Sequence, residues 1–273
     1  MSQLDRQAQR KIAAQLQRVL IVDPSSANAR LLGDLLKQLE ARQIHVESTT
    51  RAAMSACAAF DPQMVFTELS GNGLDGLAFV RALRRSTLAC RTAPVTVVTA
   101  DATAATITAS RDAGVHEFLR RPFTVNDLTR RLEAVTLKSR PWVEAVQYIG
   151  PDRRRFNSAA YQGARKRKSD GQPETHADRV GQALKILHSA IIAIESDPLQ
   201  ALRAMQAQVA ELQAVAHETT NTALAQAVFR LHQILKLAAL DGRLSRSDVE
   251  TATAGLWAFR PAATEADKAR SAA

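Results

Sequence analysis

The chain has 273 residues, which is long for one small domain and sufficient for two of ordinary size. Its 46% hydrophobic and 23% charged residues are typical of globular proteins and exclude disorder along the whole chain. Lys and Arg outnumber Asp and Glu by 36 to 27, so nucleic acid, anionic lipid and acidic ligands are all candidate partners.

Cysteine content and the N-terminus narrow the class of protein further. Cys57 and Cys90 lie in helix-like sequence without a CxxC motif or a neighbouring His, which excludes a disulfide framework and a zinc cluster. The N-terminus is charged, and no stretch approaches the ~18–20 apolar residues that span a bilayer. We therefore expect a cytoplasmic protein with a helical extension over residues 1–16.

Residues 17–140 alternate short apolar runs with helical patterns. The predicted strands are 19–22, 46–48, 64–66, 95–98 and 117–119, and the predicted helices are 30–40, 52–60, 77–85, 103–113 and 125–137. This alternation predicts an α/β domain with a doubly wound, five-stranded parallel sheet. Ligands of such sheets bind at the carboxyl ends of the strands. The candidate site residues at those ends are Asp23, Glu68, Thr99 and Arg121.

Four stretches of this region occur in a recognisable order: RVLIVDPSSANARLLGDLL, MVFTELSGNGLDGLAFVRALR, APVTVVTA and AGVHEFLRRPF. Together they resemble the CheY-like receiver domain of bacterial response regulators. The resemblance implies an acidic pair that holds Mg²⁺, a phosphorylated Asp, a Thr or Ser that binds the phosphoryl group, and a Lys before a Pro.

The chain departs from that pattern at three positions. Pro24 replaces the second acid of the pair, so we expect Mg²⁺ to bind weakly or not at all and we predict no cofactor. Glu68 stands at the phosphoacceptor position with a carboxylate one methylene further out, which predicts that efficient phosphotransfer is lost. Arg121 replaces the Lys and can pair bidentately with a carboxylate.

Two interpretations of these departures stay open. Glu68, extended toward Thr99 and clamped by Arg121, would mimic a phosphoryl group in a pseudo-receiver. Alternatively, the domain is a docking scaffold whose pocket has drifted. Phe118 matches the family's switch aromatic, or is an ordinary core residue. The resemblance implies a partner or dimer face built from residues 103–113, 116–121 and 125–137.

A basic segment follows the predicted receiver. Its net charge between residues 150 and 170 is +5, and with its Gly and Pro residues it predicts a linker. Its candidate anion-binding residues are Arg153, Arg154, Arg155, Arg165, Lys166, Arg167 and Lys168. The run is a solvated linker, or it binds cyclic di-GMP or nucleic acid, with Tyr148, Phe156 and Tyr161 available for stacking.

Residues 175–260 show helical periodicity. The predicted helices carry apolar rows at 180–194, 202–215 and 224–238, and a short fourth helix follows Ser245 and ends near Trp257. The pattern predicts a helical bundle or hairpin, monomeric or completed by a second copy. Charges nearly cancel here, so specific DNA binding is disfavoured. The run from His217 to Asn221 resembles the H-box of histidine kinases, with His217 as phosphoryl carrier.

These features predict a two-component or phosphorelay signalling protein that regulates partner proteins by binding and is not an enzyme. The alternatives are a phosphorelay member carrying phosphate on Glu68 or His217, and a cyclic-dinucleotide effector using the basic linker. The predicted divisions are a receiver-like domain over 17–140, a basic linker over 141–174, a helical domain over 175–260 and a disordered tail over 261–273.

Overall fold

A computed structural model of the chain describes residues 6–138, 140–153 and 175–261. The chain divides into two compact units. The first, called here the receiver unit, contains residues 1–143 and 148–164, and the second, called the helical unit, contains residues 144–147 and 165–273. Within the described residues, no helix has the length and apolar content needed to cross a membrane.

The receiver unit contains a five-stranded parallel sheet in the order β2-β1-β3-β6-β7. Its strands are β1 (Arg18–Val22), β2 (Gln43–Glu47), β3 (Met64–Thr67), β6 (Val95–Thr99) and β7 (Glu117–Arg120), and a small hairpin pairs β4 (Ser70–Gly71) with β5 (Leu74–Asp75). The helices are α1 (Arg6–Gln15), α2 (Ser26–Gln38), α3 (Thr50–Phe60), α4 (Gly76–Arg85), α5 (Ala104–Asp112) and α6 (Val125–Leu137). The doubly wound sheet predicted from the sequence is confirmed.

The sheet is covered on both faces, which explains its continuous apolar strands. Alternate residues of β1 point to opposite sides: Leu20 joins the core that includes α3 and α4, while Val19 joins the core that includes α2 and α6. The N-terminal helix α1 contributes Ile12 to this second core, and Leu16 follows it there. Residues 6–16 are therefore part of the packed receiver unit.

The start of the predicted linker is folded, which corrects the boundary at residue 141. Strands β8 (Trp142–Glu144) and β9 (Ile149–Pro151) pair as a hairpin, and all three residues of β9 are buried. The backbone of β9 approaches so closely that a Cβ on Gly114 would lie 2.4 Å from the Ile149 carbonyl oxygen. Strands of three residues are too short to show the alternation of apolar and polar residues that marks a strand. Gly150 and Pro151 also gave this stretch the composition of a linker.

The helical unit consists of α7 (His176–Ile192), α8 (Pro198–Glu218), α9 (Thr222–Asp241), α10 (Arg246–Thr253) and a final 3₁₀ turn (Ala254–Phe259). Each helix from α7 to α10 packs on the next. Four N-termini are capped by side chains, including Thr175 in a capping box and Asn221 at the start of α9. The α8 helix ends at Glu218, one turn beyond the end of its apolar row, and α9 begins at Thr222 after the Asn221 cap.

Residues 144–147 are part of the helical unit although both flanks belong to the receiver unit. Two buried glutamines of α8 hold this segment. The Gln200 amide donates to the Glu144 carboxylate at 3.0 Å and to the Ala145 carbonyl at 3.2 Å, and Gln208 donates to the Glu144 carbonyl at 3.4 Å. These bonds satisfy polar groups that burial would otherwise leave unpaired.

Candidate functional site

Four predicted site residues lie at one edge of the sheet because parallel strands end together there. Asp23 follows β1, Glu68 follows β3, Thr99 ends β6 and Arg121 follows β7. The register pairs Val22 with Thr67 across the centre of the sheet. The sequence therefore brings two acids and one guanidinium to a single pocket.

Arg121 connects the two acids. Its Nη1 donates to Glu68 Oε2 and its Nη2 donates to Asp23 Oδ2. The side chains are largely shielded from water, with exposed fractions of 19% for Arg121, 4% for Asp23 and 14% for Glu68. Each guanidinium nitrogen thus serves a different carboxylate, in charge-assisted bonds that are strong where water is scarce.

The remaining carboxylate oxygens are occupied by backbone donors of the loops. The Ser25 N–H donates to Asp23 Oδ1 at 2.8 Å, and the Leu69 N–H donates to Glu68 Oε1 at 2.7 Å. Pro24, which lies between Asp23 and Ser25 in the sequence, has neither a backbone N–H nor a carboxylate. All four carboxylate oxygens of the pocket therefore have protein donors.

Thr99 and Phe118 are buried beside this pocket. The Thr99 hydroxyl accepts a hydrogen bond from the Asp101 N–H at 3.2 Å, and the Phe118 ring packs in the core on the α3 and α4 side of the sheet. The Glu68 carboxylate is bonded to Arg121 and to the Leu69 N–H of its own loop.

Gly76 shapes the floor of the site at the start of α4. A Cβ at this position would lie 2.0 Å from the Glu68 carbonyl oxygen, and the Gly76 N–H donates to the Leu69 carbonyl at 2.8 Å. Only glycine permits this approach of the helix to the loop that carries Glu68. Gly76 of the Leu74-Asp75-Gly76 turn is thus required because the backbone of Glu68 lies directly against it.

The pocket does not match the requirements of Mg²⁺. The ion prefers several oxygen ligands in octahedral geometry. Here two carboxylates are available, both are bonded to a guanidinium, and the position that usually adds a third acid is Pro24. Among the described residues no group of three or more His, Cys, Asp or Glu side chains is placed to hold a metal ion.

A second charged cluster lies at the opposite edge of the sheet, and sequence reasoning missed it. Arg84 is only 1% exposed. It donates to the carbonyl oxygens of Gly114, Arg91 and Ala93 and to the His116 ring, and Trp142 lies 5.2 Å from its guanidinium. The sequence did indicate that Arg84 could be buried, because it follows the buried Val80 by four residues and shares its helix face.

Burial changes the ionisation of this cluster. Loss of solvent lowers the pKa of Arg84 to about 9. Burial also lowers the pKa of His116 well below its ordinary value, and the neighbouring charges of Arg84 and Arg140 lower it further. His116 Nδ1 accepts from the Val95 N–H at 3.2 Å, which requires the neutral ring.

The structure describes one of the seven candidate anion-binding residues. Arg153 pairs with Asp112 at 3.1 Å and lies 4.4 Å from the centre of the Tyr148 ring. Tyr148 is buried and donates its hydroxyl to the Pro151 carbonyl, so it cannot take part in the base stacking that the nucleotide-binding alternative offered it. Outside the described residues lie Arg154, Arg155, Arg165, Lys166, Arg167, Lys168, Phe156 and Tyr161, together with residues 262–273 of the predicted tail.

The resemblance to an H-box is not matched by the local structure. His217 lies in the last turn of α8 rather than at a helix start, and Glu218 ends that helix. Asn221 caps α9 on the far side of the turn. Glu218 is instead paired with Arg179 of α7. The five residues therefore span two helices and do not form one phosphotransfer face.

Comparisons with known proteins concern the receiver unit. Residues 19–133 match the family model described as the response regulator receiver domain. A protein named as a CheY chemotaxis protein in Rhizobium etli is 27% identical over 118 residues, 43% of this chain and 91% of that protein. The KDP operon transcriptional regulatory protein KdpE of Escherichia coli is 31% identical over 114 residues, 42% of this chain, which spans 48% of KdpE.

A solved structure is also similar to this region. The structure of the chemotaxis response regulator CheY4 of Vibrio cholerae is 19% identical, with a TM-score of 0.40, over 43% of this chain and 96% of that one. The family match and the observed strand order identify residues 19–133 as a response regulator receiver domain.

Proposed function

We propose, from the premise that residues 19–133 are a receiver domain, that this protein regulates signalling partners by protein–protein binding and without phosphorylation. The observation that carries the proposal is the Arg121 guanidinium between Asp23 and Glu68. In the receiver family this pocket binds Mg²⁺ and contains the Asp that is phosphorylated. Here the Arg121 guanidinium is bonded to Asp23 and Glu68, the carboxylates that Mg²⁺ binding and phosphorylation would require.

Electrostatics supports the loss of the metal. Asp23 and Glu68 carry two negative charges and Arg121 one positive charge, so the pocket offers a net charge of only about −1 to an entering ion. A divalent cation would have to displace a guanidinium that makes a hydrogen bond to each acid. We therefore propose that Mg²⁺ does not bind here at physiological concentration.

Phosphoryl transfer is disfavoured for the same reason. The Glu68 carboxylate has its two oxygens bonded to the Leu69 N–H and to Arg121. Attack on a phosphoryl donor requires a free oxygen within about 3–3.5 Å of phosphorus and a cation to neutralise the donor. A fixed glutamate–arginine pair supplies neither. The receiver then acts as a constitutive binding module, and catalysis forms no part of its role.

The deciding experiment offers the protein a chemical phosphodonor. Purified full-length protein is incubated with acetyl phosphate and Mg²⁺, and intact mass is measured before and after acid treatment. We expect no phosphate on the native chain. The matched variant Pro24→Asp/Glu68→Asp/Arg121→Lys restores the family pattern and should gain an acid-labile phosphate. Phosphate on Glu68 or His217 of the native chain would overturn the proposal.

A second experiment asks whether the pocket sets the conformation, as the phosphomimetic interpretation requires, or is passive, as a drifted scaffold would be. Glu68→Gln removes the charge that Arg121 binds. Hydrogen exchange should become faster in α5 and β7 if the pair holds the receiver in one state. Glu47→Gln is the control, since Glu47 ends β2 and pairs with His45 instead. If hydrogen exchange in α5 and β7 is the same in Glu68→Gln and Glu47→Gln, the interpretation as a docking scaffold remains.

The cyclic-dinucleotide alternative draws on the basic linker and gains no support from its described residue. Arg153 already pairs with Asp112 and packs on Tyr148. Calorimetric titration with cyclic di-GMP, and with random DNA at two salt concentrations, tests it directly. Salt-sensitive binding to both ligands would indicate general attraction between a basic run and phosphate, whereas binding of the dinucleotide alone would indicate a specific site.

A further inference from the structure

The α9 helix of the helical unit has two apolar faces. One face is buried against the bundle and consists of Leu224, Val228, Leu231, Leu235 and Ala238. On the opposite face Phe229, Leu237 and Leu240 have exposed fractions of 57%, 59% and 76%. At about 100° per residue, Phe229 and Leu240, eleven residues apart, lie on one row, and Leu237 lies within about 80° of it, so the three form one exposed apolar face, which we call the α9 ridge. An exposed apolar row on one helix indicates an interaction surface.

A groove runs beside this ridge between α8 and α9. Its cavity of about 440 Å³ is lined on the α8 side by Gln206, Val209 and Ala210 and on the α9 side by His232, Leu235 and Lys236. Buried Val209 and Leu235 form an apolar floor. Polar side chains stand at the rim, which is the usual composition of a groove that accepts a helix.

Helical periodicity extends the groove toward one end of the bundle. Leu199 precedes Gln206 by seven residues, so it lies on the same row of α8, and it is 53% exposed. Leu240 follows Lys236 by four residues on α9. The ridge and the groove are therefore adjacent on one surface of the helical unit.

We propose that this α8–α9 surface is the interface of a homodimer. A two-fold axis would place the α9 ridge of each copy in the α8–α9 groove of the other, so each copy contributes both a ridge and a groove. Four helices, two from each copy, would then enclose an apolar core in the manner of a helical bundle. A second copy is the favoured occupant because one chain presents both complementary shapes on the same face.

The size of the surface is adequate for such an assembly. Helices of 21 and 20 residues are each ~30 Å long at ~1.5 Å per residue. Two of them side by side at ~10 Å present a face of roughly 600 Å², close to the ~800 Å² per partner of a standard stable interface. Lys236 can lay its aliphatic stem on the groove and keep its ammonium at the rim.

The test measures the molar mass of the full-length chain by light scattering and sedimentation equilibrium across a range of concentrations. We expect a dimer whose dissociation constant rises at least 100-fold in the variant Phe229→Glu/Leu240→Glu. Both positions are exposed, so the helical content and melting temperature should stay close to those of the native chain. Leu31→Glu is the matched control, because Leu31 is 60% exposed on α2 of the receiver unit.

Three outcomes would overturn this inference. A native chain that stays monomeric at all concentrations would assign the face to a different protein. A dimer that survives both glutamates, or one that dissociates with Leu31→Glu, would place the interface elsewhere. The inference is independent of the Arg121 pocket: Pro24→Asp/Glu68→Asp/Arg121→Lys should dimerise like the native chain whether or not it takes up phosphate.

Discussion

Arg121 and Arg84 lie at opposite edges of one parallel sheet, and the receiver unit binds their guanidinium groups in different ways. Arg121, at the carboxyl edge, is partly exposed and pairs with two carboxylates. Arg84, at the amino edge, is buried and donates to backbone carbonyl oxygens and a neutral histidine. If its guanidinium is removed, the carboxylate pair can bind another cation, whereas the carbonyl oxygens around Arg84 have no net negative charge to attract one. One edge is therefore chemically adjustable and the other is structural.

The largest expected effect breaks the structural edge. Arg84→Ala would leave the carbonyl oxygens of Gly114, Arg91 and Ala93 buried without their donor and would open a cavity under Trp142. We expect a loss of about 3–5 kcal/mol in the free energy of unfolding of the receiver unit.

Urea unfolding followed by fluorescence, with Trp257→Phe in every variant so that Trp142 reports alone, measures this loss. Arg81→Ala on the exposed side of the same helix should cost less than about 0.5 kcal/mol. Equal, small losses in both variants would show that Arg84 is not needed by the fold.

An intermediate effect is expected at the adjustable edge. Arg121→Ala would leave Asp23 and Glu68 facing each other without their cation, at a cost of about 2 kcal/mol. Millimolar Mg²⁺ should recover part of that stability, because the freed acids can then bind a metal ion.

Thermal melts with and without Mg²⁺ test this contrast. The exposed neighbour Arg120→Ala is the control and should show neither the loss nor the recovery. Mg²⁺ should not rescue Arg84→Ala, since no carboxylate is released there. A melting temperature of Arg121→Ala that is indifferent to Mg²⁺ would contradict the description of this edge as adjustable.

The smallest expected effect is a pH dependence of the structural edge. Burial and the charges of Arg84 and Arg140 keep the pKa of His116 well below its unfolded value. The unfolded chain therefore binds a proton near pH 6.5 that the folded chain does not bind, so stability falls as pH falls through that range. Between pH 7 and 5.5 the loss should be roughly 1 kcal/mol.

Urea unfolding at several pH values in this window gives the loss, and His116→Gln provides the reference because it removes the titrating ring. The native chain should lose more stability than the variant on acidification. Parallel pH profiles would show that His116 binds a proton equally well in the folded and unfolded chain, which would contradict its role as acceptor for Val95 and Arg84.

The sheet and the residues of the Arg121 pocket were predictable because they follow from local patterns. Apolar runs such as 19–22 and 95–98 specify buried parallel strands, and parallel strands bring their carboxyl ends together. The side-chain geometry was predicted only in part. Arg121 pairs with Glu68, but it also reaches Asp23, while Thr99 is bonded to its own loop.

The amino edge could not be derived in the same way because its contacts join residues distant in sequence. Arg84 meets Gly114 across 30 residues, and Trp142 completes the cluster from a strand of three residues. No periodicity marks so short a strand. The helical rows of α7 to α9 were predictable, while the role of residues 144–147 depends on buried side chains of α8 that only the folded unit reveals.

The path of residues 142–151 has a consequence for dividing the protein into parts. The family match ends at residue 133, yet Trp142 lies against Arg84 in the receiver unit and Glu144 is bonded within the helical unit. Tyr148 then belongs to the receiver unit again. A fragment ending at residue 133 would lack Trp142, whose ring packs on the buried Arg84 guanidinium. No single cut in this stretch yields two fragments that each retain all of their own core.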